Sequence, residues 1–132
     1  MVGESNLYKL LKNMNPVLNP GDYVFCTTKQ IDKINNNHII NFFKEKEGFT
    51  LVMLKNDADR YELTYSNVMS WITLQVHSSL EAVGLTAAFS KVLADNQISC
   101  NVIAGYYHDH IFVPKKSSKE AINLLEDMKA GL

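Results

Sequence analysis

Apolar positions recur at helical spacing in some stretches of the chain and at strand spacing in others. Leu7, Leu10, Leu11 and Met14 follow the i, i+3, i+4, i+7 rule of one helix face. Ser5 is placed to cap that helix, and Pro16 ends it, because a residue before proline is pushed toward extended backbone. Asn19-Pro20-Gly21-Asp22 predicts a turn and Tyr23 to Thr28 a strand. The polar run from Gln30 to Asn37 predicts an irregular surface loop. Asn41 to Glu45 and Phe49 to Leu54 flank Lys46-Glu47-Gly48 and predict a β-hairpin. A helical turn over Asp57 to Tyr61 precedes a long strand from about Thr64 to Val76, in which Trp71, Thr73 and Gln75 alternate with Ile72, Leu74 and Val76.

The second half is patterned more regularly. Ser78 with Glu81 three residues on is a capping-box signature, predicting a helix from Ser79 to about Asp95. Leu80, Val83, Leu85, Ala87, Ala88, Phe89, Val92 and Leu93 surround most of that helix, which predicts burial on two sides. Gly84 falls in its first turn, where glycine costs about 1 kcal/mol against alanine. Close approach of a ligand or of neighbouring backbone would justify it. Ile98 to Ala104 and Tyr107 to Val113 pair across Gly105. Ser117 and Glu120 form a second capping box, Ala121, Leu124, Leu125 and Met128 give the last helix one apolar face, and Gly131 stops it. The order β-α-β-β-α is one strand short of a ferredoxin-like unit. The missing strand must come from the first half or from another chain. The first half reads as a distorted second unit, with no sequence repeat between the halves.

Composition narrows the functional classes. A chain of 132 residues makes one compact domain or two very small ones sharing a core. With 13 basic and 14 acidic side chains it carries no charge excess suited to nucleic acid or an anionic membrane. Met1 to Asn6 lacks the pattern of a secretory leader and no stretch is long enough to span a bilayer, so a cytoplasmic location is expected. Cys26 and Cys100 sit in apolar segments without metal or redox spacing and read as reduced, buried thiols.

Three segments carry candidate chemistry. The junction Val76 to Gly84 gathers small polar groups at a helix N-terminus, whose free N–H groups and positive dipole suit a carboxylate. His108 and His110, two apart on a strand, would share a face with Asp109 on the other, but two imidazoles are too few for a zinc site. Ser78 and Ser79 are nucleophiles by type alone and read as caps, and no nucleophile elbow, phosphate loop or dinucleotide fingerprint is present.

WITLQVHSSLEAVGLTAAF followed by ISCNVIAGYYHDHIFVP resembles the tandem ACT-domain proteins formerly grouped as a domain of unknown function. NPGDYVFCTT and FFKEKEGFTLVM resemble their N-terminal ACT-like domain. The resemblance implies an α+β fold of two ferredoxin-like units with antiparallel sheets, residues 1–68 and 69–132. It implies a regulatory module that binds a small molecule, an amino acid above all, without catalysis or cofactor. Its ligand would lie at the loop His77, Ser78, Ser79, Leu80, Glu81, Val83, Gly84 and Leu85, facing Asn101, Val102 and Ile103. With no catalytic domain attached, a regulated enzyme would be a separate protein, and a homo-oligomer is expected. The loop lacks the Asp-x-x-Pro-Gly-x-Leu pattern of many metabolic ACT regulators and keeps only Gly84 and Leu85. The alternatives are an assembly protein without ligand and a metal binder using His108 and His110.

Overall fold

The computed structural model describes residues 6–76 and 82–132. Along the chain it places α1 (Leu7–Asn13), β1 (Asn15–Thr28), two 3-10 turns (Ile31–Lys33 and Asn36–His38), β2 (Asn41–Lys44), β3 (Phe49–Leu54) and α2 (Lys55–Arg60). There follow β4 (Met69–Gln75), α3 (Leu85–Asp95), β5 (Asn101–Ala104), β6 (Asp109–Pro114), a 3-10 turn (Lys115–Ser117) and α4 (Ser118–Ala130). The chain divides into a larger unit, Met1–Pro20 with Ser70–Leu132, and a smaller unit, Gly21–Met69.

In the larger unit the strands lie in the order β1-β4-β6-β5. This is the ferredoxin-like order, with the first residues of β1 standing where the last strand of such a unit belongs. The strand missing from the second half is therefore supplied by the start of the chain. Asn15 Nδ2 meets Gln75 Oε1 at 3.4 Å and Asn19 Nδ2 donates to Thr73 Oγ1 at 2.9 Å, so β1 and β4 run in opposite directions. One sheet face carries Ile72, Leu74, Ile111 and Val113, which pack with Leu10 and Leu11 of α1, with Met14 at its end, and with Leu85, Phe89, Leu93, Ala121 and Leu125 of α3 and α4.

The smaller unit has the strand order β2-β3-β1 and is antiparallel throughout, from Tyr23↔Leu54 to Thr28↔Phe49 and from Asn41↔Val52 to Lys44↔Phe49. An isolated antiparallel bridge, Cys26↔Tyr65, stands where a further strand would lie. The two 3-10 turns occupy the place of the first helix. Val24, Cys26, Ile34, Leu51, Met53 and Ala58 form the core. The expected hairpin closes as read, with the Glu45 N–H donating to the Gly48 carbonyl at 3.0 Å and Gly48 at φ 151°.

Several local expectations are corrected. Asn19 to Asp22 is not a turn but lies inside β1. Gly21, at φ 113°, lies within the strand, a use of glycine that sequence shares with turns. The strand placed at Thr64 begins only at Met69. Leu63, Tyr65 and Val68 pack instead onto the smaller core, and Tyr65 Oη donates to Asp59 Oδ1 at 2.6 Å. The strand predicted over Ile98–Ala104 is confined to Asn101–Ala104, because Ile98 closes the end of α3 through its N–H to Leu93 O. The cap of α1 is Asn6, whose Oδ1 accepts from the Lys9 N–H at 3.1 Å. At α4 Ser117 is the N-cap residue but makes no side-chain capping bond, since a 3-10 turn runs into the helix.

Helix α3 departs most from expectation. It starts at Leu85, with Gly84 as its N-cap residue at φ 99°. A left-handed residue cannot continue an α-helix, so Gly84 precedes the first turn. The helix is buried along Leu85, Phe89 and Leu93, whereas Thr86, Ala87, Lys91, Ala94 and Asp95 are exposed. It is thus amphipathic and not buried on two sides; alanines, small enough to tolerate solvent, inflated the apparent apolar girth. The Ser78–Glu81 capping box lies outside the described residues.

Candidate functional site

Two regions of the larger unit hold polar groups in a fixed arrangement. The first is the start of α3. Gly84 O accepts from the Ala88 N–H at 2.9 Å, opening the helical ladder. The N–H groups of the first turn have no partner within the helix by construction, and Thr86 and Ala87 there are exposed. A Cβ on Gly84 would stand 3.0 Å from Leu7 Cδ2, so its lack of a side chain and its φ both serve packing against α1. Val83 is exposed and Leu85 is in the core.

The anticipated site residues divide as follows. Val102 packs into the core with Leu85. Asn101 and Ile103 lie across from Phe112 and His110 and share the opposite sheet face. Strand alternation therefore separates Val102 from its neighbours. His77, Ser78, Ser79, Leu80 and Glu81 lie outside the described residues.

The second region is that opposite face, where β1, β4 and β6 each contribute a polar side chain. Asn19 Nδ2 donates to Thr73 Oγ1 at 2.9 Å and to the Trp71 carbonyl at 3.2 Å. Trp71 Nε1 donates to His110 Nδ1 at 3.0 Å, and Thr73 Oγ1 lies 3.2 Å from the same nitrogen. An indole nitrogen only donates, so His110 Nδ1 carries no proton and the neutral ring holds its proton on Nε2. Nδ1 has a single lone pair, so the Thr73 hydroxyl, which accepts from Asn19, can only share it with Trp71. The Trp71 ring stacks on Phe112 with centroids 6.1 Å apart. Sequence reading took Asn19 for a turn residue and so missed this network. The alternation of Trp71 and Thr73 along one strand, with His110 and Phe112 on another, was its available signal.

Burial and then the charge of His108 lower the His110 pKa, and burial raises that of Asp109 against a smaller opposing pull from His108. His108 is in the turn before β6, not on the strand as expected, and its buried Nδ1 has no hydrogen-bond partner among the described residues. Among the described residues no group of three or more His, Cys, Asp or Glu is placed to hold a metal ion. Cys26 and Cys100 are unpaired thiols, each pushed up to about 11 by burial.

The network gives a pH prediction. A base with a depressed folded pKa contributes stability that is present above its unfolded value of about 6.5 and is lost as pH falls through the folded value. Wild-type stability should therefore drop on acidification below pH ~6.5, with a limiting slope of about 1.4 kcal/mol per pH unit from this group. Asp109 acts with the opposite sign, stabilising below about pH 3.9 and losing that effect as pH rises through its raised folded value. In His110→Gln, whose amide oxygen can still accept from Trp71, the slope just below pH 6.5 should flatten. Urea midpoints measured at half-unit pH steps check this.

An ACT domain is recognised over residues 2–70 and a second ACT domain over residues 68–127. The chain belongs to the ACT-domain family. A Vibrio cholerae protein of unknown function, described as a possible transport protein, is 47% identical, with 93% of this chain and 95% of that chain aligned at a TM-score of 0.82. The regulatory subunit of aspartate kinase from Thermus thermophilus, in ligand-free form, aligns over 86% of this chain and 95% of its own at 6% identity and a TM-score of 0.58. Aspartokinase III from E. coli, in complex with aspartate and ADP, aligns over 88% of this chain but 34% of its own, at 10% identity and a TM-score of 0.65. These last two share the fold. No curated protein matches the sequence. ACT domains are typically small-molecule-binding regulatory modules. Among the described residues no helix of this tandem ACT protein is long and apolar enough to cross a membrane.

Proposed function

We propose that this tandem ACT protein is a non-catalytic, cytoplasmic sensor that binds an amino acid and regulates a separate enzyme. The observation that carries the reading is the pair of ACT matches, which together span residues 2–127. The fold shared with the regulatory subunit of an aspartate kinase supports a regulatory role. The ligand carboxylate would lie at the N-terminus of α3, where the N–H groups of the first turn lack partners within the helix and the helix dipole is favourable. His77, Ser78, Ser79, Leu80, Glu81 and Val83 would complete the pocket, whereas Asn101 and Ile103, on the other sheet face, would take no part in it.

A thermal-shift screen against the twenty amino acids tests this. A ligand that binds only the folded state at a hundred times its Kd should add about 2.7 kcal/mol and raise Tm by several degrees. No response to any amino acid removes the sensor reading and leaves the assembly role. That role is favoured by a separate observation, the exposed edge of the smaller unit, where all four residues of β2 are exposed.

A further inference from the structure

Helix α1 is an addition to the larger unit. A ferredoxin-like unit covers one sheet face with two helices, and α3 and α4 already fill those places. Helix α1 packs on both of them. Its seven residues are too few to hold a helix alone, so its shape depends on that packing. Leu10, Leu11 and Met14 anchor it and are buried in the core. Leu7, one turn before Leu10 and Leu11 on the same face, is partly buried and reaches the start of α3. Its Cδ2, Cδ1 and Cγ would lie 3.0, 3.7 and 3.9 Å from a Cβ on Gly84.

We propose that Leu7 is a positioning residue: presented by α1, it holds Gly84 in its left-handed conformation and so fixes the direction of the free N–H groups in the first turn of α3. The proposal rests on the amino-acid reading for the ligand those groups would receive. The coupling of α1 to α3 stands apart from that reading.

Gly84 is where the chain turns into the helix. Glycine visits positive and negative φ about equally, so nothing in the residue itself selects φ 99°. The selection comes from its surroundings. Gly84 O accepts from the Ala88 N–H at 2.9 Å, the first link of the helical ladder. Ala82 before it and Leu85 after it pack into the same apolar cluster as Leu7. Leu7 closes the remaining side, where a side chain would project. Leu7 is itself held, because Asn6 Oδ1 accepts from the Lys9 N–H at 3.1 Å and Asn6 O from the Leu10 N–H at 3.0 Å. Two first turns, one in α1 and one in α3, thus meet through a single side chain. Coupling between two sites is reciprocal. An amino acid held at α3 should slow exchange of the Leu10 N–H, and loosening α1 should weaken the binding of that amino acid. Helix α1 is then the element that stiffens when the site fills.

Native-state amide exchange on the full chain, read residue by residue by NMR, tests the coupling without any ligand. In Leu7→Ala the Ala88 N–H should exchange at least about tenfold faster, a larger change than at Leu93 further along α3. Leu7→Met, which keeps the reach of the side chain, should restore wild-type exchange. Lys12→Ala, on the exposed side of α1, should leave it unchanged. The twenty amino acids are then screened against wild type, and the one giving the largest thermal shift is titrated into each variant by calorimetry. Leu7→Ala should bind it at least about fivefold more weakly and Leu7→Met as wild type does, whereas a merely structural role would lower Tm and leave the affinity of the folded protein unchanged. Unchanged relative exchange at Ala88 in Leu7→Ala overturns the proposal, whether or not an amino acid binds. So does faster exchange with unchanged affinity. Faster exchange at Ala88 in a protein whose wild type binds no amino acid supports the positioning of α3 by Leu7 and removes the sensor reading instead.

Discussion

Replacing Phe89 with alanine is expected to lower stability by about 3–5 kcal/mol, the cost of deleting a large buried side chain and leaving a cavity. Phe89 is fully buried at the middle of the α3 stripe, between Leu85 and Leu93, in the core that also contains Ile72, Leu74 and Leu125. A domain of this size has only about 5–15 kcal/mol in total. The variant should therefore unfold at markedly lower urea concentration. Val92→Ala, on the same helix at a half-buried position, should cost far less. Equal losses at the two sites would contradict the one-sided burial of α3. Urea denaturation followed by circular dichroism measures both.

Gly84→Leu is expected to be the second most damaging change, and through stability before binding. A non-glycine residue held at φ 99° carries about 1–3 kcal/mol of backbone strain. The added side chain also begins 3.0 Å from Leu7 Cδ2, and such overpacking costs a further 1–3 kcal/mol or so. Gly84→Ala should retain most of the strain with less crowding. Pairing it with Leu7→Ala should relieve the contact but not the φ penalty. A melting series on the single and double variants separates the two terms. If Gly84→Leu melts like wild type, the packing role assigned to this glycine is wrong. Calorimetry with a ligand found in the amino-acid screen then reports its part in binding.

Much of the larger unit was legible because its elements are local. The β-α-β-β-α order, the hairpin around Gly105 and the buried face of α4 each follow from periods of two or 3.6 in contiguous residues. What sequence could not supply was partnership at a distance. Asn19-Pro20-Gly21-Asp22 has the composition of a turn, and only distant partners, Trp71 and Thr73 for Asn19 and Leu54 for Tyr23, show that the chain is extended there. Gly84 showed that something required a glycine, but positive φ and the Leu7 methyl are properties of the folded chain. Likewise His110 was visible as a histidine on a strand, whereas its tautomer depends on Trp71 and Thr73, 39 and 37 residues away. Val102 alternates away from Asn101 and Ile103, a consequence of β5 being a strand that was itself foreseen. The same period-two rule that located the strand also divides its three residues between two faces.

The first residues of β1 have a consequence for biosynthesis. A ribosome delivers residues 21–69 as one uninterrupted run, so the smaller unit can close while the rest of the chain is still being made. The larger unit is delivered in two instalments. Its edge strand and α1 emerge first and must wait, apolar face exposed, until β4, β6 and α4 leave the exit tunnel. Met14, Leu10 and Leu11 are then made well before their partners in β4, α3 and α4. Chaperone binding during translation should concentrate on that N-terminal segment. A gene fragment beginning at residue 69 would encode a sheet lacking one border, and co-expressing residues 1–20 as a separate peptide should restore it.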